Sequence, residues 1–255
     1  MSRQQWVLKS VSLGTLVFLY MPIVVLILFS FNASRMAATW EGVTLDWYRQ
    51  LALDEDLWLA TRNSLVVGGV STLVALGLGV SAGVMMERRR FWGRSFLDGA
   101  FLLPLVIPEV MMGVGLLLLF VMVQWPLGLS TVILGHILFN LPLVMVIVRA
   151  RLRRLDPVLE EAARDLGATP WQAFRRVTLP LLRPAILCAG LMAFTISLDD
   201  FVVTFFTAGP GSTTLPLKVF SMVRTGVSPE INALSAILVI LSMGLIGVAL
   251  VFQRK

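Results

Sequence analysis

Apolar residues in this chain fall in long runs, and polar residues gather in short stretches between them. A helix needs about 20 apolar residues to span the hydrocarbon of a bilayer. Six runs approach that length, near 12–31, 64–86, 99–123, 130–148, 185–206 and 234–252. The pattern predicts an all-α membrane protein of six transmembrane helices, organised as one domain over 1–255. Arg3 and Lys9 precede the first run as basic residues precede the core of a signal peptide. The run's length and its lack of a clear small-x-small cleavage site predict a retained helix instead. Only 124–130 separates the third run from the fourth, and the sixth follows a turn-like entry at 228–232.

Two runs carry internal punctuation. Ala75, Gly79 and Gly83 recur at four-residue spacing, a small-residue stripe that lets a neighbouring helix approach closely. Pro104 and Pro108 remove backbone donors from the third run, which predicts a kink or a local unwinding where the segment is buried or lines a cavity.

The polar insert 156–180, DPVLEEAARDLGATPWQAFRRVTLP, has the densest local signals. Asp156 suits an N-cap and Pro157 the first helical position. Val158 or Leu159, Ala162 or Ala163, and Leu166 then recur at helical spacing, opposite Glu160, Glu161, Arg164 and Asp165. Gly167 suits a left-handed stop. Thr169-Pro170-Trp171-Gln172 opens a second helix with a capping-box pattern, striped by Trp171, Phe174 and Val177. Leu179-Pro180 and Arg183-Pro184 are expected to close it. The insert, set within a loop over 150–183, is therefore two short helices meeting at a glycine bend. Either it lies in the membrane interface, or its alanines and glutamates form a surface that another protein approaches.

Composition agrees with the spans. The chain has 255 residues, 57% of them hydrophobic and 14% charged, far from the roughly one-quarter charged usage of soluble domains. Mean hydropathy is +0.86. The net charge of +6 invites a nucleic-acid reading, but the basic residues sit in loops between apolar runs and report topology. With the N-terminus inside, Arg35, Arg49, Arg62, Lys218 and Arg224 face out and the other 16 of the 21 basic residues face the cytoplasm. Both termini and the 150–183 loop are thereby assigned to the cytoplasm, with 32–62 and 207–232 outside. The single cysteine, Cys188, allows no intrachain disulfide and reads as a buried packing residue.

Candidate chemistry lies in the apolar runs. Glu109, Asp199 and Asp200 sit well inside them, where an ionised carboxylate costs a few kcal/mol or more unless it meets a partner or a wet cavity. The predicted spans contain no Lys or Arg, so protonation, water, another subunit or a cationic cargo must compensate these acids. The alternative is that they cap loops or bond to neighbouring helices. On one continuous helix Asp199 and Asp200 point about 100° apart and cannot both face a lumen squarely; Asp200 is taken as the lumen residue. His136 and Asn140, one turn apart, are expected to hydrogen-bond across the bundle. In the outer segment, Trp40, Trp47, Tyr48 and Trp58 form either an interfacial aromatic belt or a docking surface, with Trp47 near the pathway.

Glu161-Ala162-Ala163, then Gly167, then Val177-Thr178-Leu179-Pro180 resembles the EAA signature of permease subunits of ATP-binding-cassette importers. That resemblance implies the type I (MetI-like) permease fold. It also implies that Glu160, Glu161, Ala162, Ala163, Asp165 and Gly167 form a coupling helix docked on a cytoplasmic ATPase dimer. Residues 197–201, 209–217 and 223–234, with Tyr20-Met21-Pro22 to Phe31-Asn32, resemble spermidine/putrescine permeases in particular. This implies a bacterial inner-membrane importer of polyamines, with a second permease subunit, a periplasmic polyamine-binding protein and lipid as partners. Glu109, Asp199, Asp200, Trp47 and Ser197 are then the candidate substrate pathway. The chain lacks Gly-x4-Gly-Lys-[Ser/Thr], so ATP and its Mg2+ belong to the partner ATPase and no cofactor is expected here. Three rivals remain: an importer permease for another solute, a proton-coupled secondary transporter, which needs no such loop and usually shows paired repeats, and an intramembrane aspartyl protease, whose two carboxylates must converge on one water.

Overall fold

A computed structural model describes residues 3–34, 39–89, 91–156, 158–226 and 228–240. Arg35, Arg90, Pro157, Arg254, Lys255 and the sixth apolar run beyond 240 lie outside the described residues. Apart from one isolated bridge between Asn32 and Val43, every described element is helical. The chain forms two compact units, Met1–Leu57 with Val219–Lys255, and Trp58–Lys218.

The first unit opens with α1 (Arg3–Phe29), which is apolar on all sides. Leu16, Phe18, Leu19 and Met21 are all more than half exposed, as expected of a helix bathed in lipid. The Asn32 bridge and α2 (Asp46–Leu53) follow. The segment expected as an outer loop over 32–62 is thus partly helical, because α3 (Glu55–Arg88) begins well before its apolar run.

In the second unit α3 is followed by α4 (Arg94–Val106) and α5 (Glu109–Met122), which bend by 109° at Ile107-Pro108. Pro108 forces the preceding Ile107 out of helical geometry (ψ 130°), so the anticipated kink is a complete break. Pro104, in contrast, stays inside α4. Helix α6 (Leu129–Leu152) runs through the centre of this unit. The small-residue stripe of α3 faces it: a Cβ on Gly79 would lie 2.8 Å from Val144, and one on Gly83 3.3 Å from the Met145 carbonyl oxygen. Ala75, Val144, Val148, Leu182, Ala189 and Ala193 form the core where α3, α6 and α9 (Leu179–Asp199) meet. Cys188 is exposed on α9, about 100° round from buried Ala189, and is not a packing residue as expected.

Between α6 and α9 lie α7 (Val158–Asp165) and α8 (Pro170–Ala173), with Gly167 at φ +88° between them. Asp156 Oδ1 accepts from Val158 N at 3.0 Å, and Thr169 and Gln172 exchange both bonds of the capping box, at 2.9 and 3.3 Å. Leu179-Pro180 does not close the second helix. A π turn at Phe174–Thr178 carries it into α9, so that Pro170–Asp199 is continuous. Leu179 N bonds to Phe174 O across this turn, and the missing Pro180 N–H falls where the change of register strands a carbonyl anyway.

The fifth apolar run is also interrupted. Helix α9 ends at Asp199, Asp200 turns extended (ψ 121°), and α10 (Val202–Thr207) restarts. The 207–232 segment holds α11 (Leu215–Thr225), and α12 spans Pro229–Ile240. Among the described residues four helices are long and apolar enough to cross a membrane, or five when the bent α4–α5 pair is counted as one span.

Candidate functional site

The two breaks in the second unit come together. Helix α10 is seated against α5 at Gly113, where a Cβ would lie 2.6 Å from the Phe206 ring, and against α6 at Gly135, where it would lie 2.8 Å from Val203. The seating places Ile107 and Glu109, from one break, in the same wall as Asp199, Asp200 and Phe201, from the other. These residues line a cavity of about 400 Å3, closed further by Phe139 and Met112. None of its lining residues is basic.

All three acids therefore reach one cavity, including both aspartates. The 100° argument fails because the chain leaves the helix between Asp199 and Asp200. Their environments differ sharply. Glu109 opens α5, where the helix dipole favours a carboxylate, and it is exposed; Asp199 is exposed as well. Asp200 is spent within the fold. Its side chain is 6% exposed; Oδ1 accepts from Val203 N at 3.2 Å, and Oδ2 accepts from Thr204 N and Thr204 Oγ1, each at 2.8 Å. His136 Nε2 stands 3.2 Å from the same Oδ2. The expectation that the acids lack an internal partner is thus corrected for Asp200, which caps α10 and pairs with histidine.

Ser197 lies behind the cavity rather than in its wall. Its Oγ is 2.5 Å from His136 Nδ1 and 3.2 Å from Ser71 Oγ, so one polar chain links α3, α9, α6 and α10 inside an apolar bundle. His136 bonds across the bundle as expected. Asn140, also fully buried, finds no hydrogen-bond partner among the described residues. Trp47 belongs to the first unit, where its ring is buried and its Nε1 donates to Asn32 O at 2.8 Å.

In the 156–180 insert one carboxylate holds α7 to the rest of the unit. Glu160, expected with Glu161 on the coupling surface, faces the unit instead: its carboxylate pairs with Arg88 and accepts from Thr178 Oγ1 at 3.0 Å. Burial alone would raise the Glu160 pKa, but hydrogen bonds from Arg88 and Thr178 hold it below the usual carboxylate value. Val158, Leu159 and Leu166 point away, Leu166 being 91% exposed. Glu161, Ala162, Asp165 and Gly167 are exposed, while Ala163 is half-buried. The reason is geometric: Arg88 and Thr178 supply two donors to the Glu160 carboxylate. The insert thus presents Glu161 among apolar side chains.

A second ionic cluster had no signal in the sequence. Arg149, 8% exposed, makes a two-pronged contact with Asp98 and donates from Nε to Glu87 Oε2 at 3.3 Å, and Arg153 Nε donates to Glu87 Oε1 at 3.0 Å. It ties the ends of α3, α4 and α6 together. No group of three or more potential metal ligands occurs among the described residues.

A family model described as "Binding-protein-dependent transport system inner membrane component" matches residues 75–255. The chain belongs to this family. This inner-membrane transport component is 43% identical over 252 residues to the putrescine transport system permease protein PotI of Escherichia coli (strain K12), covering 96% of the chain and 89% of the relative. To the spermidine/putrescine transport system permease protein PotC of the same organism it is 41% identical over 226 residues, covering 89% and 86%. Its fold matches a chain of a bacterial ABC transporter involved in the import of the acidic polysaccharide alginate, with TM-score 0.74 at 17% identity, covering 100% and 98%. The component is a permease subunit of an ABC importer and not an enzyme. Membership removes the secondary-transporter and protease readings.

Proposed function

We propose that this permease conducts polyamines, putrescine or spermidine, into the cytoplasm. The observation that carries the reading is the cavity at the two helix breaks, where Glu109 and Asp199 keep exposed carboxylates beside Phe139 and Phe201 with no basic residue in the wall. A flexible organic cation bearing several ammonium groups fits such a site: the carboxylates accept its charge and the aromatic rings attract it through their faces. The names of the relatives support the same cargo.

In this reading the whole chain acts as one transmembrane domain with both termini in the cytoplasm. It pairs with a second permease, receives cargo from a periplasmic binding protein and is driven by an ATPase dimer that carries ATP and Mg2+. The outer segments 32–62, with Trp47, and 207–232 face the binding protein. Glu161, Ala162, Asp165 and Gly167 meet the ATPase, while Glu160 and Ala163 hold α7 to the permease body. Closure of the ATPase dimer pushes on α7 and rocks the bundle between inward-open and outward-open forms.

The test is ATPase activity of the complete importer, reconstituted with its binding protein, as a function of putrescine or spermidine. Stimulation by a polyamine that Glu109→Gln or Asp199→Asn shifts to higher concentration is the expected result. Stimulation by an unrelated solute, indifferent to both changes, removes the polyamine assignment and leaves an importer for another cargo.

A further inference from the structure

The break between α9 and α10 needs an explanation, because α10 has six residues and too few internal bonds to hold itself. Two apolar contacts seat it, at Gly113 and Gly135. The polar contact comes from the residue after Gly135. His136, 1% exposed, touches the chain on both sides of the break: Nδ1 lies 2.5 Å from Ser197 Oγ, before it, and Nε2 lies 3.0 Å from Thr204 Oγ1 and 3.2 Å from Asp200 Oδ2, at and after it.

The directions of these bonds follow from what each group can do. An ionised carboxylate only accepts, so the ring proton sits on Nε2 and points to Asp200 and Thr204. The Nδ1 of a neutral ring must then accept from Ser197 Oγ, whose own oxygen is free to accept from Ser71 Oγ, 3.2 Å away. Asp200 thereby receives Val203 N, Thr204 N, Thr204 Oγ1 and His136 Nε2. Three of these donors crowd Oδ2 and one meets Oδ1, and the side chain is only 6% exposed, so most of the acceptor capacity of Asp200 is turned into the fold although the residue lines the cavity. Asp199, one residue earlier, is the aspartate left open.

We propose that His136 is a positioning residue of the translocation site: by bridging Ser197 and Asp200 it fixes the helix break that presents Asp199, and not Asp200, to the cargo. This rests on the cavity being the cargo pathway, but its mechanical content is independent of which cargo passes. Without the histidine, Asp200 loses its one donor from outside the segment and turns toward the cavity, which rotates Asp199 away.

The experiment uses the assembled importer in nanodiscs, in a Cys188→Ser background because Cys188 is itself exposed. Asp199→Cys is labelled with a cationic methanethiosulfonate, with His136 intact or replaced. His136→Gln places its amide near the Nε2 position and keeps the bond to Asp200. His136→Asn reaches only the Nδ1 position and keeps the bond to Ser197. The expected result is labelling near the parent rate in the Gln variant and roughly tenfold slower in the Asn variant, as for loss of a hydrogen bond to a charged group. Equal rates in both variants, whether fast or slow, or a faster rate in the Asn variant, overturn the proposal. His136→Leu adds a third point, and the Gln and Asn pair decides if that variant does not assemble. The labelling contains no polyamine, so the expected pattern together with an importer indifferent to polyamines refutes the cargo alone.

Discussion

Arg88, the last residue of α3, donates to Glu160 of α7, so the end of a long apolar helix is bonded directly to the 156–180 insert. Thr178, in the π turn that leads into α9, bonds to the same carboxylate and accepts from Arg88 Nη2 at 3.2 Å. One carboxylate therefore gathers α3, α7 and the root of α9. A force applied to α7 reaches two long helices through it.

Glu160→Gln is expected to weaken this latch without unfolding the chain. A partly exposed ion pair contributes about 1 kcal/mol or less, so the melting temperature of the assembled importer should barely move. The ratio of polyamine taken up to ATP hydrolysed should fall several-fold, as should that of Arg88→Gln. An unchanged ratio in both variants means the force travels by another route.

The latch has a defined pH response. The Glu160 carboxyl is held below its ordinary value in the fold, so its contribution is fully present above the unfolded value of about 4.3 and is lost as pH falls through the lower folded value. Hydrogen exchange of the α7 amides should therefore be unaffected between about pH 5 and 8, once intrinsic rates are divided out, and should accelerate only below about pH 4.

Gly167 separates α7 from α8 with φ +88°, and a Cβ there meets nothing within 4 Å. A β-branched residue is then penalised by its backbone alone, by about 1–2 kcal/mol. Gly167→Val should leave assembly intact and lower uptake; normal uptake shows the bend is not needed for coupling.

The aspartates at the second break should separate by phenotype. Asp199→Asn is expected to leave thermal stability unchanged and to raise the polyamine concentration for half-maximal ATPase stimulation. Asp200→Asn puts amide donors against donors that had a carboxylate, costing on the order of 1–3 kcal/mol, and should lower the melting temperature of the purified permease complex. The opposite pattern would make Asp200 the cargo contact.

Gly113 faces the Phe206 ring with no room for a methyl group. Gly113→Ala should destabilise by about 1–3 kcal/mol through overpacking, and adding Phe206→Leu should recover part of that loss, because residues in contact are not additive. Thermal unfolding of the two single variants and the double variant measures the coupling.

Much of this protein is determined by local chemistry, and the sequence alone shows it. The apolar runs, the Gly167 bend, the Thr169–Gln172 capping box and the Ala75-Gly79-Gly83 stripe all rest on interactions within a few residues or on a fixed helical period, so their positions along the chain suffice. The EAA-like spacing and the polyamine-permease segments are legible for the same reason. The tertiary structure decided what depends on distant partners. Nothing near Asp200 in sequence indicates His136, 64 positions earlier, and without that pairing two adjacent acids look equivalent. Nothing near Glu160 indicates Arg88 or Thr178, so the sequence alone does not separate Glu160, bonded to the rest of the unit, from the exposed Glu161 beside it. The break at Asp199-Asp200 carries no proline: it is held by a buried histidine and by two glycines on other helices, and a single helix's own sequence cannot report contacts made to its neighbours.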